Sequence, residues 1–125
     1  MASQMNNLSQ SQLAIVNKII SQGQSIGAPD TVIQAVINIA NAESDFTPSA
    51  PNANGQSSAF GLFQYINTTW QSSWNKYSNS NPDNPLSQDS ADQVRTDTSA
   101  QIDVAYQNAM SWYNGYNDGV LASIY

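Results

Sequence analysis

A chain of 125 residues with no cysteine and no histidine has no thiol nucleophile, thiolate metal site, disulfide, HExxH zinc motif or imidazole acid/base. Nine acids against three bases give a net charge of −6, and Lys18, Lys76 and Arg95 form no basic patch, so nucleic acid is not an expected partner. Proton transfer is left to carboxylates, tyrosines and these cations, on a surface wetted mainly by Asn, Gln and Ser, a composition that suits sugars.

The length fits one domain over residues 1–125, long enough to bury a core without staples. The opening Met-Ala-Ser-Gln-Met lacks the charged and apolar regions of a signal peptide, and no apolar run approaches the roughly 18 residues of a membrane span. A protein made in the cytoplasm, without a signal peptide or transmembrane helix, is the expectation.

In chain order, Ser9 and Gln12 have the spacing of a capping box, and Leu13, Ile15, Val16, Ile19 and Ile20 predict a helix ending near Gly23. Gly27-Ala28-Pro29-Asp30 reads as a turn into a second helix over 30–42, with proline near its first position. Val32, Val36 and Ile39 form a stripe there, and at about 100° per residue Glu43 falls roughly 20° from Val36 and about 40° from Ile39. Glu43 is the only glutamate in the chain. It either continues the buried face, where a carboxyl group keeps its proton more readily and suits general acid catalysis, or frays into solvent with the last turn. Periodicity alone does not separate the two.

Residues 47–58 read as a polar loop. The apolar stretch 59–66 is interrupted by Gly61, which predicts close backbone approach, and by Gln64, a polar group suited to face a cleft. Asn67 or Thr68 is expected to cap a third helix whose Trp70, Trp74 and Tyr77 share a face, read as core before sugar platform. A second long loop over 78–89 leads to a final helix from about Ser90. There Ile102, Ala105, Tyr106, Ala109, Trp112, Tyr113 and Tyr116 make a wide stripe, with Gly115 and Gly119 marking the end. The expected fold class is all-α, one domain of about five helices.

The run Glu43-Ser44-Asp45-Phe46-Thr47-Pro48-Ser49-Ala50, followed by Ala59-Phe60-Gly61-Leu62-Phe63-Gln64 and then Thr69-Trp70, resembles the signature of soluble lytic transglycosylases and goose-type lysozymes. Tyr116-Asn117-Asp118-Gly119 is similar to the family's Tyr-Asn-Ala-Gly, while Tyr113-Asn114 offers a competing register. The resemblance covers about 33–125. It implies a lysozyme-like domain built around a substrate cleft, which cleaves the β-1,4 bond between N-acetylmuramic acid and N-acetylglucosamine in peptidoglycan without metal or cofactor. Carried onto matching positions, it makes Glu43 the catalytic acid, Gln64 a substrate-contacting glutamine, and Tyr116, or Tyr113 in the other register, the tyrosine facing Glu43. Ser44, Phe63 and Asn117 complete the implied substrate-side set. Ser58 departs from the family's first glycine, and Asn52 from its frequent serine.

Most glycosidases pair the acid with a second carboxylate. Asp45 would point about 200° away from Glu43 if the helix continued, which leaves the loop residues Asp83 and Asp89 as the candidates for a hydrolytic lysozyme. The family's other route, in which the sugar's own N-acetyl and 6-hydroxyl groups finish the reaction and leave a 1,6-anhydro end, is the expected one. A non-catalytic glycan-binding module and a helical structural protein, of a phage tail or secretion machine for instance, are the alternatives. The expected partners are peptidoglycan strands and a phage or secretion delivery partner, with the chain itself monomeric and acting at the cell wall.

Overall fold

The computed structural model describes residues 7–52 and 57–124, with side chains described as far as Asn114. Among them lie α1 (Gln10–Ser25), α2 (Asp30–Ser44), α3 (Asn67–Ser80), a 3-10 turn (Pro85–Gln88), α4 (Ala91–Val94) and α5 (Thr98–Ile124). Strand-like pairing is confined to isolated bridges, Pro51 with Phe60 and Phe60 with Tyr65, so the described fold is all-α.

Helix α1 starts on the expected capping box, with the Gln12 amide donating to Ser9 Oγ at 3.1 Å and the Ser9 amide to Gln12 Oε1 at 2.8 Å. It ends at Ser25, near Gly23 as expected. That glycine sits where Tyr106 crosses, and a Cβ there would collide with the Tyr106 hydroxyl and come within 2.7 Å of Ile33. Tyr106 donates to the Ile19 carbonyl over 2.6 Å, and burial pushes its hydroxyl pKa up to about 12.

Helix α2 follows Pro29 and buries Val32, Ile33, Val36, Ile37 and Ala40. At its end the chain turns back on the helix, with Asp45 N–H reaching Asn41 O at 3.1 Å and Phe46 N–H reaching Ala40 O at 3.2 Å. Both Asp45 and Phe46 have positive φ, 50° and 60°. For a bulky residue that is uncommon, and burial of the Phe46 ring in the core holds it there.

Two clusters of buried side chains flank α5. Val16, Ile19, Ile33, Val36, Leu62, Ile102 and Tyr106 belong to the first, built with α1 and α2; Trp70, Trp74, Val94, Ala100 and Val104 belong to the second, built with α3 and α4. The tryptophan stripe is core, as read: Trp70 and Trp74 stack at 6.0 Å, and their indole N–H groups donate to the carbonyls of Ala91 and Asp89. Ile66, rather than Asn67 or Thr68, holds the N-cap position of α3, without a side-chain cap.

Ser90 starts a helix as expected, but only the single turn of α4. The chain breaks at Arg95 and restarts at α5, where the Asp97 carboxylate accepts from the Ala100 amide at 2.9 Å. Gly115 and Gly119 do not end this helix, which runs on to Ile124. A glycine inside a helix costs only about 1 kcal/mol, so it marks an end weakly. Among the described residues no helix is long and apolar enough to cross a membrane.

Candidate functional site

The segments 43–50 and 59–64 are fastened to each other. Ser44 Oγ donates to the Leu62 carbonyl at 2.9 Å and accepts from the Thr47 amide at 3.2 Å. Gly61 N–H reaches Ala50 O at 2.9 Å, and the Gln64 side-chain amide donates to the carbonyls of Ala50 and Gly61, each at 2.9 Å.

Behind them stands Gln101, which is 4% exposed. Its Oε1 accepts from Leu62 N–H at 2.9 Å, and its amide donates to Pro48 O at 3.0 Å and Arg95 O at 2.9 Å. A Cβ on Gly61 would lie 2.8 Å from that Oε1, and the residue's φ of 88° is a second reason for glycine there. Arg95 braces the far side by donating to Asn67 Oδ1 and Tyr65 O, each at 2.9 Å, and to Ser58 O, with its guanidinium 6.0 Å from the Phe60 ring.

Glu43 is exposed, and the reading that carried it on the buried face is corrected. The packed face of α2 is centred near Ala40, from which Glu43 is displaced by about 60°, and the helix ends one residue later before anything covers that edge. The carboxylate makes no hydrogen bond or ion pair with any described residue. Asp45 leaves the helical path in the left-handed region, while Asp83 and Asp89 are exposed in the connection between α3 and α4.

The three positive-φ residues other than glycine among the described residues, Asp45, Phe46 and Gln64, all fall within these two segments. Such conformations cost about 1–3 kcal/mol each and gather at functional sites.

Beside α2 a groove of about 360 Å³ runs between Val36 and Ile39, the Phe63–Tyr65 segment, and Asn108, Ala109 and Trp112 of α5. Glu43 lies one turn beyond Ile39 on the same helix edge, about 6 Å along the axis. Ile39 is 45% exposed and Trp112 68% exposed, so both stand at the rim and not in the core stripes where the sequence reading placed them. Phe63 is buried with its ring 6.2 Å from that of Tyr65. Burial pushes the Tyr65 hydroxyl pKa up, opposed by a hydrogen bond from Asn108.

Of the residues that sequence assigned to substrate, Gln64 is half-buried and Ser44 has its hydroxyl turned into the fold. Tyr113 is half-buried and packs on the first core cluster. The side chains of Tyr116 and Asn117 lie outside the described residues, so the register of the tyrosine is open. Sequence reading missed Gln101, Arg95, Tyr65 and Asn108. Asn108 did leave a signal, as a polar residue flanking the Trp112 edge of the stripe from Ile102 to Tyr113.

A separate polar knot ties α1, α3 and α5 together. Gln22 donates to Asp103 Oδ1 at 2.8 Å and Asn84 to Tyr77 Oη at 3.0 Å. Burial pushes the Asp103 pKa up, against the hydrogen bonds from Gln22, Tyr77 and Asn84. These bonds satisfy the carboxylate and make it a strut.

No family model matches the chain, and neither a curated protein nor a solved structure matches it.

Proposed function

We propose that the protein cleaves the β-1,4 bond between N-acetylmuramic acid and N-acetylglucosamine in peptidoglycan, as a lytic transglycosylase with Glu43 as its general acid and base. The supporting observation is that the two motif segments, 16 residues apart from Glu43 to Ala59, are fastened by the bonds of Ser44, Gly61 and Gln64, with Glu43 exposed beside a groove and unengaged by any described residue.

On this reading the glycan lies in the groove and passes over Glu43. Glu43 protonates the glycosidic oxygen as the C1–O bond breaks, the muramic 6-hydroxyl closes on C1, and its proton returns to Glu43. The bound sugar supplies the dry surroundings that an exposed carboxyl lacks in the free protein. Gln64, in its strained conformation, holds the segment facing the sugar. Because the substrate lies at the cell wall, the reading also requires a delivery route, for which phage or secretion machinery is the proposed source.

The test is muropeptide analysis by mass spectrometry after digestion of purified peptidoglycan with wild-type protein and with Glu43→Gln. Release by wild type alone supports the assignment. Equal release by both, or by neither, removes it.

A further inference from the structure

We infer that the floor of the groove is a recognition site for an acetamido group, with Asn108 and Tyr65 as the residues that set specificity; this rests on the reading above that the substrate is a glycan. The Asn108 amide nitrogen donates to the Ser73 hydroxyl at 3.3 Å. Its Oδ1 has no hydrogen-bond partner among the described residues, and the neighbouring Tyr65 hydroxyl has an O–H to donate. Asn108 Oδ1 is not among the buried unpartnered atoms, so it is reached by solvent, and both residues line the groove.

The groove therefore offers one acceptor and one donor within walls that are otherwise apolar, among them Val36, Ile39 and Ala109. A secondary amide presents the complement, an N–H for Asn108 Oδ1 and a C=O for the Tyr65 hydroxyl. An acetamido group adds a methyl for the apolar wall, and the exposed Trp112 ring at the rim suits the face of the sugar that carries it. A free amine in the same place would lose the acceptor for Tyr65 and bury a charge against aliphatic side chains.

The test titrates full-length Glu43→Gln protein, which spares the ligand, with the N-acetylglucosamine trimer, the glucosamine trimer and an acetylated dipeptide amide, followed by calorimetry. The acetylated trimer is expected to bind at least about tenfold more tightly than the glucosamine trimer. That preference runs against the net charge of −6, which favours the cationic ligand.

Adding Asn108→Ala or Tyr65→Phe should reduce the preference to within about twofold, while Trp112→Ala weakens both sugars together. Tyr65→Phe keeps the ring and decides the matter if Asn108→Ala does not fold. A preference that survives both floor substitutions, or dipeptide binding equal to that of the acetylated trimer, overturns the inference. Wall cleavage by wild-type protein together with such a result leaves the enzymatic reading standing. Acetyl-dependent binding that needs Asn108, without wall cleavage, does the reverse.

Discussion

The Ser44 hydroxyl donates to the Leu62 carbonyl across 2.9 Å, which fixes the last residue of the Glu43 helix to the segment that ends in Gln64. Ser44→Ala removes the donor and leaves that carbonyl short of a partner, a loss of about 1–3 kcal/mol. Thermal melting should fall by roughly 3–10 °C, and wall-degrading activity at 25 °C by several-fold. Unchanged melting and activity together would show that the tie does not position the site.

Glu43 is exposed and has no hydrogen-bond or ion-pair partner among the described residues, so its replacement should separate stability from activity. Glu43→Gln is expected to alter stability by less than about 0.5 kcal/mol while lowering the cleavage rate by ~10²–10⁴. The measurement is a melt beside a turbidity assay on cell walls, and more than about a tenth of the wild-type rate would sink the role.

Gln101 joins Leu62, Pro48 and Arg95 from a buried position on α5. Gln101→Ala should cost about 2–4 kcal/mol, because a buried N–H and two carbonyls lose their partner at once. Gln101→Glu keeps an acceptor for Leu62 N–H and loses the donors, so it should fall short of wild type as well. Urea unfolding midpoints rank the three proteins, and a Gln101→Ala protein as stable as wild type contradicts the bracing role.

Asp103 has its carboxyl pKa raised by burial, so the folded protein holds that proton more tightly than the unfolded chain. Its favourable contribution is fully present below the unfolded value of about 3.9 and is lost as pH rises through the higher folded value. The stability difference of wild type minus Asp103→Asn should therefore shift in favour of wild type on going from pH 7 to pH 4. The paired comparison cancels the other acids, and a shift in the opposite direction refutes the sign.

The outcome of cleavage is set by what stands opposite Glu43. Two-carboxylate mechanisms need the partner ~5–9.5 Å away, whereas Asp45 turns off the helix and Asp83 and Asp89 belong to the connection after α3. Digestion in heavy-oxygen water should give 1,6-anhydromuramyl ends that carry no solvent oxygen. Asp83→Asn and Asp89→Asn should each keep the rate within a few-fold. Solvent-labelled reducing ends as the main product would replace the lyase by a hydrolase.

The elements legible in the sequence are those held by neighbours in the chain. The Ser9–Gln12 capping box spans three residues, Pro29 opens α2 from the position before it, and Trp70 and Trp74 meet at helical spacing. Such signals act within about one helical turn, so they survive without the rest of the fold. Gly61 was also legible, since a glycine inside an apolar run announces a close approach even when the approaching group, Gln101, is unknown.

The tertiary structure decided whether anything covers a given face. Periodicity placed Glu43 and Ile39 beside Val36 and Trp112 beside Ala109, but packing ends short of these positions and leaves all three at the open edge. Gln101 was illegible for the same reason, because its partners Leu62 and Pro48 lie 39 and 53 residues away. A period of 3.6 residues states the direction in which a side chain points. Whether that direction ends in a core, a brace or a groove depends on distant segments, whose meeting is set by burial across the whole chain.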